Sequence, residues 1–108
     1  VDNLLASAGG EIHEQTSMYP EFAAVAREEG FTEIACIFDA IAVAERFHEK
    51  RFLALAKNIE TGTVFKKDKS VTWRCRNCGY IYEGQAAPNK CPACAHPQAH
   101  FELAEEYW

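Results

Sequence analysis

Apolar residues recur at three- and four-residue intervals through the first sixty positions, and each series is interrupted partway by polar groups. One series runs Leu4, Ala8, Glu11, Glu14, Met18, Phe22, Val25 and Ala26; a second runs Ile34, Ile37 with Phe38, Ile41, Glu45, His48, Phe52, Leu55 and Ile59. Such spacing lines one face of an α-helix, so two long helices are predicted. Gly30 divides them and suits the left-handed position that follows a helix C-terminus. Asp2 or Asn3 is placed to cap the first helix, which runs to about Glu29. Thr32 is placed to cap the second, and Gly62 to end it. The first helix has two irregularities. The pair Gly9 and Gly10 weakens it by about 1 kcal/mol per glycine and suggests close packing or the approach of a ligand. Pro20 removes a backbone donor and predicts a kink after Tyr19.

The pattern changes near residue 61. "VTWRC" and "GYIYEG" alternate like hairpin strands, and "HFEL" can return as a third. Trp73, Tyr80, Tyr82 and Phe101 are the expected small core. The chain is thus expected as an α plus small β protein: an antiparallel helix hairpin over 1–60, a linker over 61–72 that includes the solvated run "KKDKS", and a metal-knuckle domain over 73–108.

The polar breaks in the two stripes are related by counting. Glu14 and Glu11 lie 16 and 19 residues before Gly30, and Glu45 and His48 lie 15 and 18 after it. At the rise of an α-helix both sets sit roughly 25 Å from the turn, so the four groups are expected at one level. Buried carboxylates cost several kcal/mol unless paired or bound to a metal. No Lys or Arg stands in either inward stripe, so a cation is the expected partner. Oxygen and imidazole donors without thiolate suit iron or manganese. Glu45 and His48 form a Glu-x-x-His motif, of which a di-iron four-helix bundle uses two, together with one Glu from each of two other helices. Two helices therefore make half of such a bundle. Taken alone, Glu-x-x-His is weak evidence, and a salt-bridged helix surface is the better reading of it; the matched height with Glu11 and Glu14 favours the metal. Glu49 and Lys50 are expected to point outward. Tyr19, about one turn beyond Glu14, can hydrogen-bond a ligand carboxylate or serve as a core tyrosine.

Four of the five cysteines form two C-x-x-C pairs, Cys75/Cys78 and Cys91/Cys94, with twelve residues between. Two thiolate knuckles at this spacing make one tetrahedral S4 site, which spacing alone leaves open to zinc or iron. His96 and His100 follow the last knuckle as surface or hydrogen-bonding residues. Cys36 is expected as a small buried hydrophobe. The net charge of −5 argues against nucleic acid as a main partner. No apolar run approaches the length of a membrane span, and the N-terminus lacks a signal-peptide pattern, so a cytoplasmic location is expected. The first residue is Val1, which suggests processing or origin in a longer chain.

The segments "EIHE", "MYPEFA", "AREEGF" and "AERFHEKRF", followed by "WRCRNCGY" and "CPACAHPQAHFE", resemble the rubrerythrin family through nearly the whole chain. The resemblance implies a ferritin-like di-iron bundle with a rubredoxin-like Fe(Cys)4 domain behind it, and reduction of hydrogen peroxide to water with electrons passing through the cysteine-bound iron. It implies that Glu45 bridges two irons, that Glu11 and His48 complete one, and that Glu14 binds the other. Glu14 is also the ligand exchanged for a histidine when the iron is reduced. That histidine, a further Glu and a second Glu-x-x-His belong to a first helix pair that this chain does not encode. The missing half is expected from a separate N-terminal chain or from a second copy of this one; an incomplete, inactive fragment is the third arrangement. Implied partners are other subunits and a redox donor such as rubredoxin with its NADH reductase. The competing reading is a non-enzymatic helix hairpin stabilised by a zinc ribbon; iron storage leaves the cysteine site without a role.

Overall fold

A computed structural model describes residues 1–106; positions 107–108 of the expected second domain lie outside the described residues. The chain divides into two compact units, one of Val1–Glu60 and one from Thr61 onward.

The first unit is a helix hairpin. Its first arm consists of α1 (Asp2–His13), a π-helical turn (Glu14–Met18) and α2 (Tyr19–Glu28); its second arm is α3 (Thr32–Glu60). The expected caps are displaced by one position. Asp2 already lies inside α1, which starts without a side-chain cap, and Thr32 lies inside α3. The turn itself closes as expected. Gly30 has φ +87°, its N–H bonds the Arg27 carbonyl at 3.1 Å, and the Phe31 N–H bonds the Ala26 carbonyl at 2.7 Å. These two bonds are the Schellman arrangement, which satisfies carbonyls a helix end otherwise leaves orphaned.

Pro20 stands in the first turn of α2, and the arm stays helical through it. The accommodation lies on its N-terminal side, where the Tyr19 N–H bonds the Glu14 carbonyl five residues back. A proline ring clashes with the carbonyl four residues earlier in a regular α-helix, and a turn widened by one residue relieves that clash. Gly9 and Gly10 pack against nothing: a Cβ at either would meet no atom within 4 Å.

The seam between the arms is made of alanine. Ala8, Ala23, Ala26, Ala35, Ala42 and Ala56 are the buried residues of this unit. Of the larger members of the expected inward stripes, Leu4, Met18, Phe38, Ile41 and Phe52 are half-buried, whereas Phe22, Val25, Ile34, Ile37, Leu55 and Ile59 are 44–58% exposed. Two helices share one line of contact, and small residues fill it; the large apolar side chains flank that line and are half-covered or uncovered in this chain. Cys36, one position past the seam residue Ala35, is exposed rather than buried.

The second unit is a three-stranded antiparallel sheet in the order β2-β1-β3, with β1 Lys66–Cys75, β2 Ile81–Ala86 and β3 Phe101–Leu103. The expected linker over 61–72 is therefore strand from Lys66 onward. Lys66 pairs with Ala86, and after an irregularity Val71 pairs with Gly84. The lysine-rich run is polar and mostly exposed; of its residues Lys66 has a register partner, and the irregularity spans the rest up to Val71. Trp73 pairs with Tyr82 on one side and Leu103 on the other. The core is Trp73, Cys75, Ala87, Cys91 and Phe101, with Phe65, Val71, Tyr80 and Cys94 against it. Tyr82, expected there, is 38% exposed and lies over Gly84 instead. Two of the five core residues are metal-ligand candidates, so this unit is a poor fold without its ion.

Candidate functional site

The helix site takes one donor from α1 and two from α3. One ligand atom each of Glu11, Glu45 and His48 lies within 4.8 Å of the others. His48 Nδ1 is 2.6 Å from Glu45 Oε2 and 3.6 Å from Glu11 Oε2. The i, i+3 spacing on α3 puts Glu45 and His48 on one face, and the antiparallel arm brings Glu11 against them. The two carboxylates are largely covered, whereas the imidazole is half exposed. Glu11 Oε2 is buried with no hydrogen-bond partner among the described residues. Burial raises the Glu11 pKa above its ordinary 4.5; the neighbouring Glu45 carboxylate adds to the rise, as does Glu14, and His48 opposes it. An orphaned carboxylate oxygen beside a second carboxylate and an imidazole is the donor set a hard or borderline cation completes.

Glu14 stands outside this trio. Its backbone continues α1 regularly, with φ −63°, ψ −42° and its N–H on the Gly10 carbonyl; the widened turn begins with it, and it is close enough to act on Glu11. The Tyr19 ring packs at 6.2 Å from Phe22 and 6.0 Å from Phe38. Among the described residues no hydrogen bond joins its hydroxyl to a ligand carboxylate. Glu49 does not point outward: it is half-buried and accepts a hydrogen bond from the Gln15 amide across the hairpin. Gln15 was not singled out from the sequence, although it lies four residues after Glu11 as Glu49 lies four after Glu45.

The cysteine site is built by two matching knuckles. Cys75 and Cys94 sulfurs are 3.7 Å apart, as are those of Cys78 and Cys91. Metal–sulfur bonds of about 2.3 Å in a tetrahedron give sulfur–sulfur edges of about 3.8 Å, whereas a disulfide needs about 2.05 Å. Each knuckle repeats the same backbone plan. The Gly79 N–H bonds the Cys75 carbonyl at 2.8 Å, and the Ala95 N–H bonds the Cys91 carbonyl at 2.9 Å. Gly79 and Ala95 both have positive φ, 82° and 63°. The following backbone N–H, of Tyr80 or His96, then reaches a sulfur. The His96 N–H bond is the main cause that lowers the Cys94 pKa to about 5, assisted by the Asn77 side chain and by Cys78 and Cys91. The Tyr80 N–H bond favours the Cys78 thiolate, but burial and the other three sulfurs outweigh it and push that thiol up to about 12. Four thiols with no ion cannot all ionise; an ion resolves the conflict. His96 and His100 rings meet at 4.5 Å, and His96 Nδ1 is 3.2 Å from the Cys94 carbonyl. Neither belongs to the four-sulfur group.

Among the described residues, no helix is long and apolar enough to cross a membrane.

Comparison with known proteins agrees with both halves of this geometry. The rubrerythrin family model matches residues 1–56, and the model of the rubrerythrin rubredoxin-like domain matches 73–102. The chain is 63% identical over 106 residues to a rubrerythrin of Nitratidesulfovibrio vulgaris, covering 98% of this chain and 56% of that protein. It is 59% identical to a rubrerythrin of Clostridium perfringens, covering 96% of this chain and 53% of that one. A solved structure of nigerythrin in a partially reduced state superimposes with a TM-score of 0.52 at 35% identity, over 94% of this chain and 48% of the other. The chain spans about half the length of the relatives it matches. With both family models matched in order, and a helix hairpin leading into a four-cysteine knuckle, the chain belongs to the rubrerythrin family.

Proposed function

We propose that this chain forms the C-terminal half of a non-haem di-iron peroxidase that reduces hydrogen peroxide to water in oxidative-stress defence. The observation that carries the reading is the trio of Glu11, Glu45 and His48, with its orphaned Glu11 oxygen, in one chain with a four-thiol site of tetrahedral dimensions. In this reading Glu11, Glu45, His48 and Glu14 would be this chain's ligands to a pair of irons. Cys75, Cys78, Cys91 and Cys94 hold a third iron. Iron held at both sites would supply the electron chemistry of H2O2 + 2 e− + 2 H+ → 2 H2O, with the four cysteines holding the ion that would relay electrons.

The chain's own residues have separable tasks. Glu45 holds the His48 imidazole in register through the 2.6 Å contact at Nδ1. The backbone N–H groups of Tyr80 and His96 and the Asn77 amide stabilise negative sulfur, which favours metal-bound thiolate over free thiol. The uncovered apolar flank of the hairpin takes a further helix pair as the other half of the bundle; a redox donor such as rubredoxin with its NADH reductase supplies the electrons.

The test is anaerobic peroxide consumption by the chain assembled with its complementary helix pair. The reading expects turnover that Glu45→Ala abolishes while iron stays bound at the cysteines. Normal turnover by Glu45→Ala overturns it. A colourless, zinc-only protein without peroxide consumption supports the helix-hairpin interaction module instead.

A further inference from the structure

Beside the trio of Glu11, Glu45 and His48, a second polar link between the arms can hold them in register at that level. The Gln15 side chain is placed to do so. Its Nε2 donates to Glu49 Oε2, and its Oε1 accepts from Arg46 Nε at 3.3 Å. Arg46 directly follows Glu45, and Glu49 directly follows His48. One amide therefore grips the same turn of α3 that presents both of its ligand candidates. Gln15 itself lies within the π-helical turn, the position after Glu14. A turn with one extra residue can re-pitch more easily than a regular α-helix, because its bonds are not part of the α-helical ladder on either side.

We infer that Gln15 is a positioning residue for the helix metal site: its amide bridges Arg46 and Glu49 and fixes the wide turn against α3, so that Glu11 meets Glu45 and His48. The inference rests on the proposed function only in reading that trio as a metal site. The chemistry requires an amide here. The group must donate toward a carboxylate and accept from a guanidinium at once, which Gln does and Glu or Met does not. Outer groups that orient ligands are commonly worth 10–100-fold in metal affinity.

The test is cobalt(II) binding to the full chain under anaerobic conditions, with total bound metal counted by equilibrium dialysis. The intense thiolate absorption of cobalt at the four cysteines reports that site separately. Gln15→Met is expected to weaken the non-cysteine site about 10–100-fold, with the thiolate absorption unchanged. Gln15→Glu alone sets two carboxylates against each other and is expected to weaken binding similarly. The pair Gln15→Glu with Glu49→Gln exchanges donor and acceptor and is expected to restore it, which a loss of packing alone would not do. Parental affinity in Gln15→Met overturns the inference. So does failure of the exchanged pair to recover affinity while its helical circular dichroism matches the parent. A parent that takes cobalt at the cysteines alone overturns the reading of the helix site itself, and the inference with it.

Discussion

At the scale of single residues, the helix site is defined by the conflict at Glu11. Its pKa is raised above 4.5, chiefly by burial and then by Glu45. A folded carboxyl with a raised pKa binds more protons than the unfolded one, so the metal-free protein loses stability as pH rises from about 4.5 through the raised value. Ionisation is then uncompensated until a cation arrives. Melting temperatures of metal-free parent and Glu11→Gln across that range are expected to diverge, the parent falling more steeply with pH. Parallel curves would show that Glu11 carries no such cost. Metal loading reverses the trend, because a ligand carboxylate must be deprotonated. Counting residues from Gly30 was enough to bring Glu11, Glu45 and His48 to one level. It placed Glu14 at the same level; Glu14 is close enough to act on Glu11 without joining the trio. Counting also treated Glu49 as an outward residue, because it falls outside the apolar stripe; the Gln15 amide that covers it gives no apolar signal.

At the scale of elements, the two cysteine knuckles are near copies that differ at one informative place. The residue after the second cysteine adopts positive φ in both, as Gly79 in one and Ala95 in the other. A left-handed conformation costs an L-residue roughly 1–2 kcal/mol. Gly79→Ala is therefore expected to destabilise the metal-loaded unit by about 1 kcal/mol, with no steric clash since a Cβ there meets nothing within 4 Å. Ala95→Gly relieves the same strain but raises unfolded-state entropy by about 0.4–1 kcal/mol, so its net effect is expected to be smaller. Denaturant-induced release of the metal measures both; equal and large losses would contradict the account. The knuckles, the strands "VTWRC" and "GYIYEG", and the Gly30 turn could be read locally, because each is set by a motif a few residues long. The alanine seam could not. Periodicity marks which helix face is apolar, but not which part of that face the second arm covers and which part waits for other helices. Pro20 was visible as an obstacle, and only three-dimensional structure shows that the arm widens ahead of it. The strand from Lys66 was hidden because its first residues are polar and carry no alternation, with one register pair, at Lys66, before Val71.

At the scale of the whole molecule, the hairpin is a fold with one side missing. Phe22, Val25, Ile34 and Ile37 are about half exposed, and Phe47 is 68% exposed. Contiguous apolar surface of this kind marks an interaction face. The chain spans about half the length of its relatives, so the proposed cover is a further helix pair. Alone and at micromolar concentration, the chain is expected to self-associate in sedimentation velocity; with a complementary N-terminal helix pair it is expected to form a discrete complex. A stable, dispersed monomer would contradict this. The central claim, that helix iron and cysteine iron act together on peroxide, is tested most directly by one optical experiment. The assembled, iron-loaded protein is reduced anaerobically until the absorbance of the cysteine-bound iron bleaches, and hydrogen peroxide is then added by stopped flow. The account predicts that the absorbance returns in step with peroxide consumption and that Glu45→Ala prevents the rapid return. Peroxide consumption that leaves the cysteine iron reduced, or an equally fast return in Glu45→Ala, would contradict it.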